Sequence, residues 1–429
     1  MKEQLVNDND LFNLTIATSP EDVDSINKKF YGKYNYPWPP RSFPAYPAGM
    51  AGRLLNQDIG SWDHSRIPAR PRIWVAGCGT NQALFTALRF PEADVIGTDL
   101  SAQSLQLGRK NAAQMGIANL KLEEKSINEV TYAEEFDYII CTGVVHHNAN
   151  PELTLAKLAG ALKPSGVIEF MVYNYYHRLM TTACQNAVRT FYNREESLDM
   201  DLEMTIVKKL IAHFPFRNLM GEYMRTHHSA PEAKIADCLL QPVEYSYTVE
   251  SLEKLVGAGN LELLIHCINQ TDVAVNALNW NTHFDEPLLA QEYEALPDNK
   301  RWQISNLLML NDSPMLWFYL QRKDAPAERL SERDICEGFL ASKFAKNTFP
   351  VKNHVINLKG TYALSDRTLT YPLIQAPTDA LAKKVWDAVN PELTMREVFA
   401  LAGIEPTFQN VNNARIQLTT SAFPYLLAQ

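Results

Sequence analysis

Two glycines and an aspartate form the most distinctive chemical pattern in this sequence. Gly77 and Gly79 follow a short apolar segment, Ile73–Ala76, and Asp99 ends a second apolar segment that begins at Asp94. Glycines after a strand let the backbone turn tightly against a ligand, and an acid at the end of the next strand can accept both hydroxyls of a ribose. The pattern predicts a nucleotide site, although a lone Gly-x-Gly is also compatible with a simple tight turn.

The spacing of the glycines argues against a dinucleotide. A dinucleotide fingerprint has a third glycine three residues after the second. This sequence has Gln82 at that position, preceded by Asn81. A pyrophosphate would therefore lack its usual close approach to the backbone.

Two histidine pairs are candidates for a general base, because imidazole titrates near neutral pH. His146-His147 follow the predicted strand 137–141, and His227-His228 lie in a later helical region with Asp237 and Glu244 downstream. Each pair is equally compatible with a structural role. The spacing of the second group is not that of a metal site, so no metal is predicted.

Alternating strands and helices must position these residues. The periodicity predicts strands over 73–76, 94–97, 120–123, 137–141 and 167–173, separated by helices over 82–89, 101–115 and 151–161. A closing antiparallel pair is predicted at 261–268 and 314–320. In an open α/β sheet, ligands bind at the carboxyl ends of the strands near the topological switch point. Thr142-Gly143 begin the loop at that point.

Several short segments resemble the motifs of class I S-adenosylmethionine-dependent methyltransferases. They are Ala76–Thr80, Asp99–Ser101 and Gly143–His147, with Tyr36-Pro37 upstream. The chain is similar to the methyltransferase type 11/12 group and to bacterial methyltransferase domains found with tetratricopeptide repeats. The resemblance implies an α/β fold with a Rossmann-like, seven-stranded sheet. Asn81 and Val75 depart from it, standing where many members carry a glycine and an acid.

The resemblance also implies a cofactor, S-adenosyl-L-methionine, and its product, S-adenosyl-L-homocysteine. Ser126 stands where most members carry an acid that touches the adenine, and Ile127 is expected to pack on the adenine face. The cofactor-binding residues implied are Gly77, Cys78, Gly79, Asp99, Leu100, Ser126, Ile127, Thr142 and Gly143.

Methyl transfer from a sulfonium is an in-line displacement that mainly needs alignment in a dry pocket, with a base where the acceptor must lose a proton. The candidate catalytic residues are His146, His147, His228 and Tyr175. The candidate substrate-binding residues are Tyr34, Tyr36 and Trp38 of an aromatic, proline-rich segment, with Asn174 and Glu244 further along the chain.

Composition narrows the function classes. The chain has 429 residues, 46% of them hydrophobic and 21% charged, with a net charge of −9. The acidic balance disfavours nucleic acid as the main partner. No apolar run has the length of a membrane span, and six cysteines without a C-x-x-C pair are typical of a reducing compartment, so a cytoplasmic protein with no membrane partner is expected.

The chain is long enough for two or three domains. We expect a lid or arm over 1–60, a methyltransferase domain over 61–323 with a helical insertion at 177–247, and an accessory domain over 324–429. The last is expected to be a small α+β domain, compatible with a winged helix. It is predicted to serve packing, homodimer formation or substrate gating.

The sequence thus predicts a methyltransferase that acts on a small biosynthetic molecule at oxygen, nitrogen or carbon. Two alternatives stay open at this point. One is a protein or RNA methyltransferase, and the other is a non-catalytic regulatory protein that binds the cofactor.

Overall fold

Short apolar segments become strands, and amphipathic segments become helices, along most of the chain. The computed structural model describes residues 20–34, 40–191, 199–268 and 280–429. The strands are β1 (Ser42–Ala45), β2 (Arg72–Ala76), β3 (Asp94–Asp99), β4 (Leu120–Glu124), β5 (Phe136–Thr142), β6 (Leu162–Val172), β7 (Leu261–His266), β8 (Leu316–Arg322), β9 (Phe344–Lys346), β10 (Phe349–Ile356), β11 (Tyr362–Tyr371) and β12 (Leu426–Ala428). The helices are α1 (Pro20–Lys33), α2 (Met50–Asp58), α3 (Gln82–Arg89), α4 (Ala102–Met115), α5 (Pro151–Ala161), α6 (Tyr175–Thr190), α7 (Met200–His213), α8 (Leu219–Thr226), α9 (Glu232–Leu239), α10 (Val249–Ala258), α11 (Pro287–Glu294), α12 (Asp298–Met309), α13 (Glu332–Ala341), α14 (Ala380–Ala388), α15 (Met395–Leu401) and α16 (Phe408–Thr419).

Seven strands form one mixed sheet in the order β4-β3-β2-β5-β6-β8-β7. Strands β2 to β6 are parallel to one another, and β8 runs antiparallel to both β6 and β7. The direction of winding reverses between β2 and β5, so a crevice opens at the carboxyl ends of these two strands. The expected Rossmann-like sheet and its antiparallel closing pair are both confirmed.

The central strands are apolar throughout because helices cover both faces of the sheet. Ile73, Trp74 and Val75 of β2 are fully buried. The indole N–H of Trp74 donates to the Thr98 hydroxyl at 3.0 Å, so this large side chain leaves no unpaired donor in the core. The strand that leads into the two glycines is therefore held rigidly from both sides.

A helical bundle made of α6–α9 and the N-terminal helix α1 stands beside the carboxyl ends of the strands. Its apolar core includes Phe30, Tyr34, Cys184, Val188, Met204, Val207 and Ile235. The bundle corresponds to the insertion expected at 177–247, with one helix contributed from the start of the chain. Helix α1 is thus part of the structure that surrounds the crevice.

Strand β1 connects an early segment of the sequence with the last part of the sequence. It pairs antiparallel with β10 in a sheet of order β1-β10-β11, and β12 pairs with β9. Two neighbouring residues of α2 extend this contact, since Gln57 donates to the Thr419 carbonyl at 2.8 Å and Asp58 accepts from the Ser421 hydroxyl at 2.6 Å. The expected domain boundaries stay predictions. The sequence patterns did not predict α16 or β12.

The described segments meet neither the requirements of a membrane-spanning helix nor those of a metal site. No helix in these segments is both long enough and apolar enough to cross a bilayer. In the same part of the chain, no three His, Cys, Asp or Glu side chains are grouped so that they could hold a metal ion.

Candidate functional site

A cavity of about 840 Å³ opens at the carboxyl ends of β2, β3, β5 and β6 and extends into the helical bundle. All nine residues expected to bind the cofactor line it, namely Gly77, Cys78, Gly79, Asp99, Leu100, Ser126, Ile127, Thr142 and Gly143. They come from four separate loops of the sequence. The fold therefore brings together one complete set of predicted residues.

The turn after β2 explains the first glycine. Gly77 has a φ of 69°, and a Cβ at this position would collide with the side chain of Val144. Asn81, which replaces a glycine of the related motif, has a φ of −134°, a value open to any residue. The departure at Asn81 therefore leaves the path of the turn intact.

Asp99 links the two halves of the nucleotide motif. One carboxylate oxygen accepts from the Gly79 amide at 2.8 Å, and the other accepts from the Ser101 amide at 2.8 Å. Burial raises the pKa of Asp99, while these backbone donors oppose the shift. A carboxylate oxygen can accept more than one hydrogen bond, so both oxygens can still accept from a ligand in the cavity.

Beside the end of β4, the cavity is lined by an acid of helix α1 that the sequence patterns did not predict. The Ser126 hydroxyl donates to the carboxylate of Asp24 at 2.6 Å, and Asp24 lines the cavity from helix α1. Two further contacts hold α1 there: Asn27 donates to the His147 carbonyl at 2.8 Å, and Lys28 pairs with Glu124. A carboxylate is therefore present where the family motif has one, supplied by a distant segment.

The first histidine pair is divided by the fold. His147 lines the cavity, and its Nδ1 donates to the Val243 carbonyl at 2.7 Å. Burial lowers the pKa of His147 to about 4, so the ring is neutral at pH 7 and is a weak base. His146 is fully buried outside the lining, where its ring stacks on Tyr173 at 3.8 Å. The predicted base His146 therefore packs in the core and does not line the cavity with His147.

The second histidine pair is divided as well. His227 lines the cavity, and its Nδ1 lies 3.1 Å from the Tyr223 carbonyl. His228 is exposed at the end of α8 and does not line the cavity. The structure therefore does not bring His228 together with the other predicted site residues.

Several expected substrate residues have structural roles instead. Asn174 is buried and caps α6 by accepting from the Tyr176 amide at 3.1 Å, and its side-chain NH₂ donates to the Pro314 carbonyl at 2.7 Å. Tyr175, expected to be catalytic and not substrate-binding, is outside the lining of the cavity. Tyr34 is buried in the core of the bundle. Tyr36 and Trp38, also expected to bind substrate, lie outside the described residues.

Glu244 does not line the cavity, but it holds Arg178, which does. Its two carboxylate oxygens accept from Nε and Nη2 of Arg178 at 2.8 and 2.6 Å, and both side chains are almost fully buried. The Arg178 guanidinium lies 4.1 Å from the centre of the Tyr173 ring, on which the His146 ring also stacks. This expected substrate-binding residue therefore holds Arg178, and Arg178 and His146 both pack against the Tyr173 ring.

The bundle supplies lining residues that motif reasoning missed. Tyr31, Tyr173, Arg178, Thr181, Tyr223, Asp237 and Cys238 all line the cavity. Tyr173 lies one residue before the expected Asn174, at the end of β6, so its strand-end position was an available signal. Asp237 was considered only as a partner of the histidines. No local motif marks the others.

Comparisons with known proteins agree with this geometry. Residues 76–213 match a family model described as a methyltransferase domain. An uncharacterized protein of Synechococcus sp. is 27% identical over 251 residues, which is 56% of this chain and 60% of that protein. A ubiquinone biosynthesis O-methyltransferase of Neisseria meningitidis is 29% identical over 105 residues, 24% of this chain and 44% of that enzyme.

A solved structure extends the likeness in fold. PKMT2 from Rickettsia typhi in complex with AdoHcy is 17% identical, with a TM-score of 0.54 over 91% of this chain and 77% of that one. The matches to the two curated relatives span 60% and 44% of their lengths. Residues 76–213 thus match the model of the methyltransferase-domain family, and the sheet around them is the Rossmann-like, seven-stranded sheet expected from the sequence.

Proposed function

We propose that the cavity binds S-adenosylmethionine and that the protein transfers its methyl group to a small molecule. The observation that carries this proposal is the convergence of nine predicted cofactor residues, from four separate loops, on one cavity. Its volume of about 840 Å³ lies within the range typical of small-molecule sites. The name of the Neisseria meningitidis relative, a ubiquinone biosynthesis enzyme, supports a small biosynthetic acceptor.

The residues present fit each part of the cofactor. The turn at Gly77 and Gly79 lines the cavity where the methionine portion would lie, and the Asp99 carboxylate, which also lines it, would accept from the ribose hydroxyls. Ile127 offers an apolar surface to the adenine, and the Asp24 carboxylate beside Ser126 can accept from the adenine amine.

The chain's own residues mainly align and exclude water. The cofactor, when bound, supplies a methyl group on a sulfonium with a good, neutral leaving group. Contacts of α1 with Glu124 and the His147 carbonyl close one side of the cavity, and a dry, fixed geometry favours in-line displacement. His147 is neutral at pH 7 and its Nδ1 donates to the Val243 carbonyl, so its Nε2 can accept a hydrogen bond from a group in the cavity.

Calorimetric titration of the purified full-length chain tests the proposal. We expect micromolar binding of S-adenosylmethionine and binding of S-adenosylhomocysteine that is at least as tight. ATP and NAD serve as matched controls, because both carry an adenosine but lack the amino-acid portion. A folded protein that bound neither sulfur compound, or bound all four alike, would contradict the proposed function.

A further inference from the structure

The part of the cavity inside the bundle is chemically different from the part that faces the strand ends. We call it the bundle chamber and define it by Tyr31, Tyr173, Thr181, Tyr223 and Asp237. Aromatic rings form much of its wall, and the charged side chains beside them, Arg178, Lys234 and Asp237, come from helices α6 and α9. The residues expected to bind the cofactor all lie at the strand ends. The bundle chamber is therefore where a methyl acceptor would lie.

The positive charge beside the chamber is already neutralised. Arg178 forms a two-point ion pair with Glu244, and the side chains are only 6% and 3% exposed. Lys234, which also lines the cavity, is exposed at its rim. Among the described residues, the chamber therefore offers no buried, uncompensated cation to an anionic acceptor.

Asp237, unlike Arg178, is a charged residue of the chamber without an ion-pair partner among the described residues. Its carboxylate lines the cavity, and within the described segments no side chain or backbone amide hydrogen-bonds or ion-pairs with it. The Tyr173 hydroxyl, fixed by the ring's two stacking neighbours, also has no hydrogen-bond partner in these segments. The Asp237 side chain is half-buried, and burial raises the pKa of its carboxyl group, so a hydrogen-bond donor in the cavity would stabilise the charged form.

The walls and the carboxylate together favour a basic nitrogen. Tyrosine rings attract cationic groups, and a carboxylate accepts strongly from an ammonium. A carboxylate acceptor would be repelled by Asp237. An aliphatic hydroxyl holds its proton too tightly for a carboxylate to remove it.

We propose that the methyl acceptor is a small amine, bound through Asp237 and the Tyr173 hydroxyl, with Asp237 as the group that receives its proton. The proposal rests on the proposed function, because it assigns the acceptor of the same reaction. The ammonium passes one proton to the Asp237 carboxylate, and the nitrogen lone pair then forms the N–C bond. The S–C bond breaks as this bond forms, S-adenosylhomocysteine leaves as a neutral thioether, and Asp237 returns its proton to water after product release.

The test uses the full-length protein, S-adenosylmethionine labelled in its methyl group, and three probes at equal concentration: n-butylamine, phenol and butyrate. We expect label to enter n-butylamine at least about tenfold faster than either other probe. Asp237→Asn should slow that transfer about 100-fold, the scale of a lost proton acceptor. Calorimetry should show unchanged affinity for S-adenosylhomocysteine. Glu232→Gln, an exposed acid on the same helix, is the matched control and should change neither quantity.

Tyr173→Phe is the second variant, because it keeps the stacked ring and removes only the hydroxyl. It should raise KM for n-butylamine several-fold, and it keeps the test informative if Asp237→Asn fails to fold. Equal or faster labelling of phenol or butyrate, or no labelling of n-butylamine above a protein-free blank, would overturn the amine proposal while binding of S-adenosylhomocysteine stands. Loss of that binding in the unmodified protein would overturn the proposed function itself.

Discussion

The two sides of the cavity are built in different ways. On the strand side, the lining follows directly after strands, and backbone amides and short loops do most of the positioning, as at Gly79, Asp99 and Ser101. On the bundle side, the lining comes from helices whose contacts join residues far apart in the chain, as in the pair Arg178–Glu244. The proposed cofactor side is thus formed by residues close together in the sequence, whereas the bundle chamber depends on the packing of distant helices.

This difference has a consequence for mutation. A change on the strand side should alter cofactor binding with modest effects elsewhere. A change on the bundle side should alter stability or acceptor use and leave cofactor affinity almost unchanged. Three substitutions separate these effects, beginning with the largest.

Arg178→Met should have the largest effect, on the free energy of unfolding. It leaves the Glu244 carboxylate buried without its partner, a change that typically costs about 3–5 kcal/mol. Urea denaturation measures the loss, and Arg178→Met with Glu244→Leu should recover part of it because no lone charge remains. Lys383→Met breaks an exposed pair with Asp387 and should cost less than about 1 kcal/mol. Equal losses for the two single variants would contradict the buried pair's role.

Asp99→Ala should affect the strand side almost alone. Loss of hydrogen bonds from a charged acceptor to ribose hydroxyls is worth about 3 kcal/mol, or roughly a 100-fold weaker Kd for S-adenosylhomocysteine. Calorimetry provides the measurement. Asp94→Asn, an exposed acid at the start of the same strand, is the control and should bind normally. Unchanged affinity in Asp99→Ala would remove the ribose assignment.

Asp24→Asn should have the smallest effect and tests the place where the two sides meet. The carboxylate accepts from Ser126 and is placed for the adenine amine, so we expect about tenfold weaker binding of S-adenosylhomocysteine. S-Inosylhomocysteine, which carries an oxygen in place of that amine, should bind poorly to the unmodified protein and lose much less affinity on substitution. Asp22→Asn on the same helix is the control. If Asp24→Asn weakened both compounds equally, α1 would be acting only as a cover.

The predictability of the site follows the same division. Gly77, Gly79 and Asp99 could be assigned from the sequence because strand, turn and acid are close in the chain and each residue type serves one backbone task. Asp24 could not, because its contact with Ser126 joins positions 102 residues apart. His146 and His147 are adjacent and chemically identical, yet one packs in the core and the other lines the cavity.

The sequence by itself determined the sheet, its closing antiparallel pair and the nine residues at the carboxyl ends of its strands. Apolar periodicity and small-residue turns are local properties, and they survive without knowledge of packing. Only the tertiary structure decided which acid stands beside Ser126, that Glu244 holds Arg178, and that Asp237 lines the chamber with no hydrogen-bond or ion-pair partner among the described residues. These outcomes depend on how helices from distant segments pack against one another, and that packing is settled by many weak contacts that no short motif records.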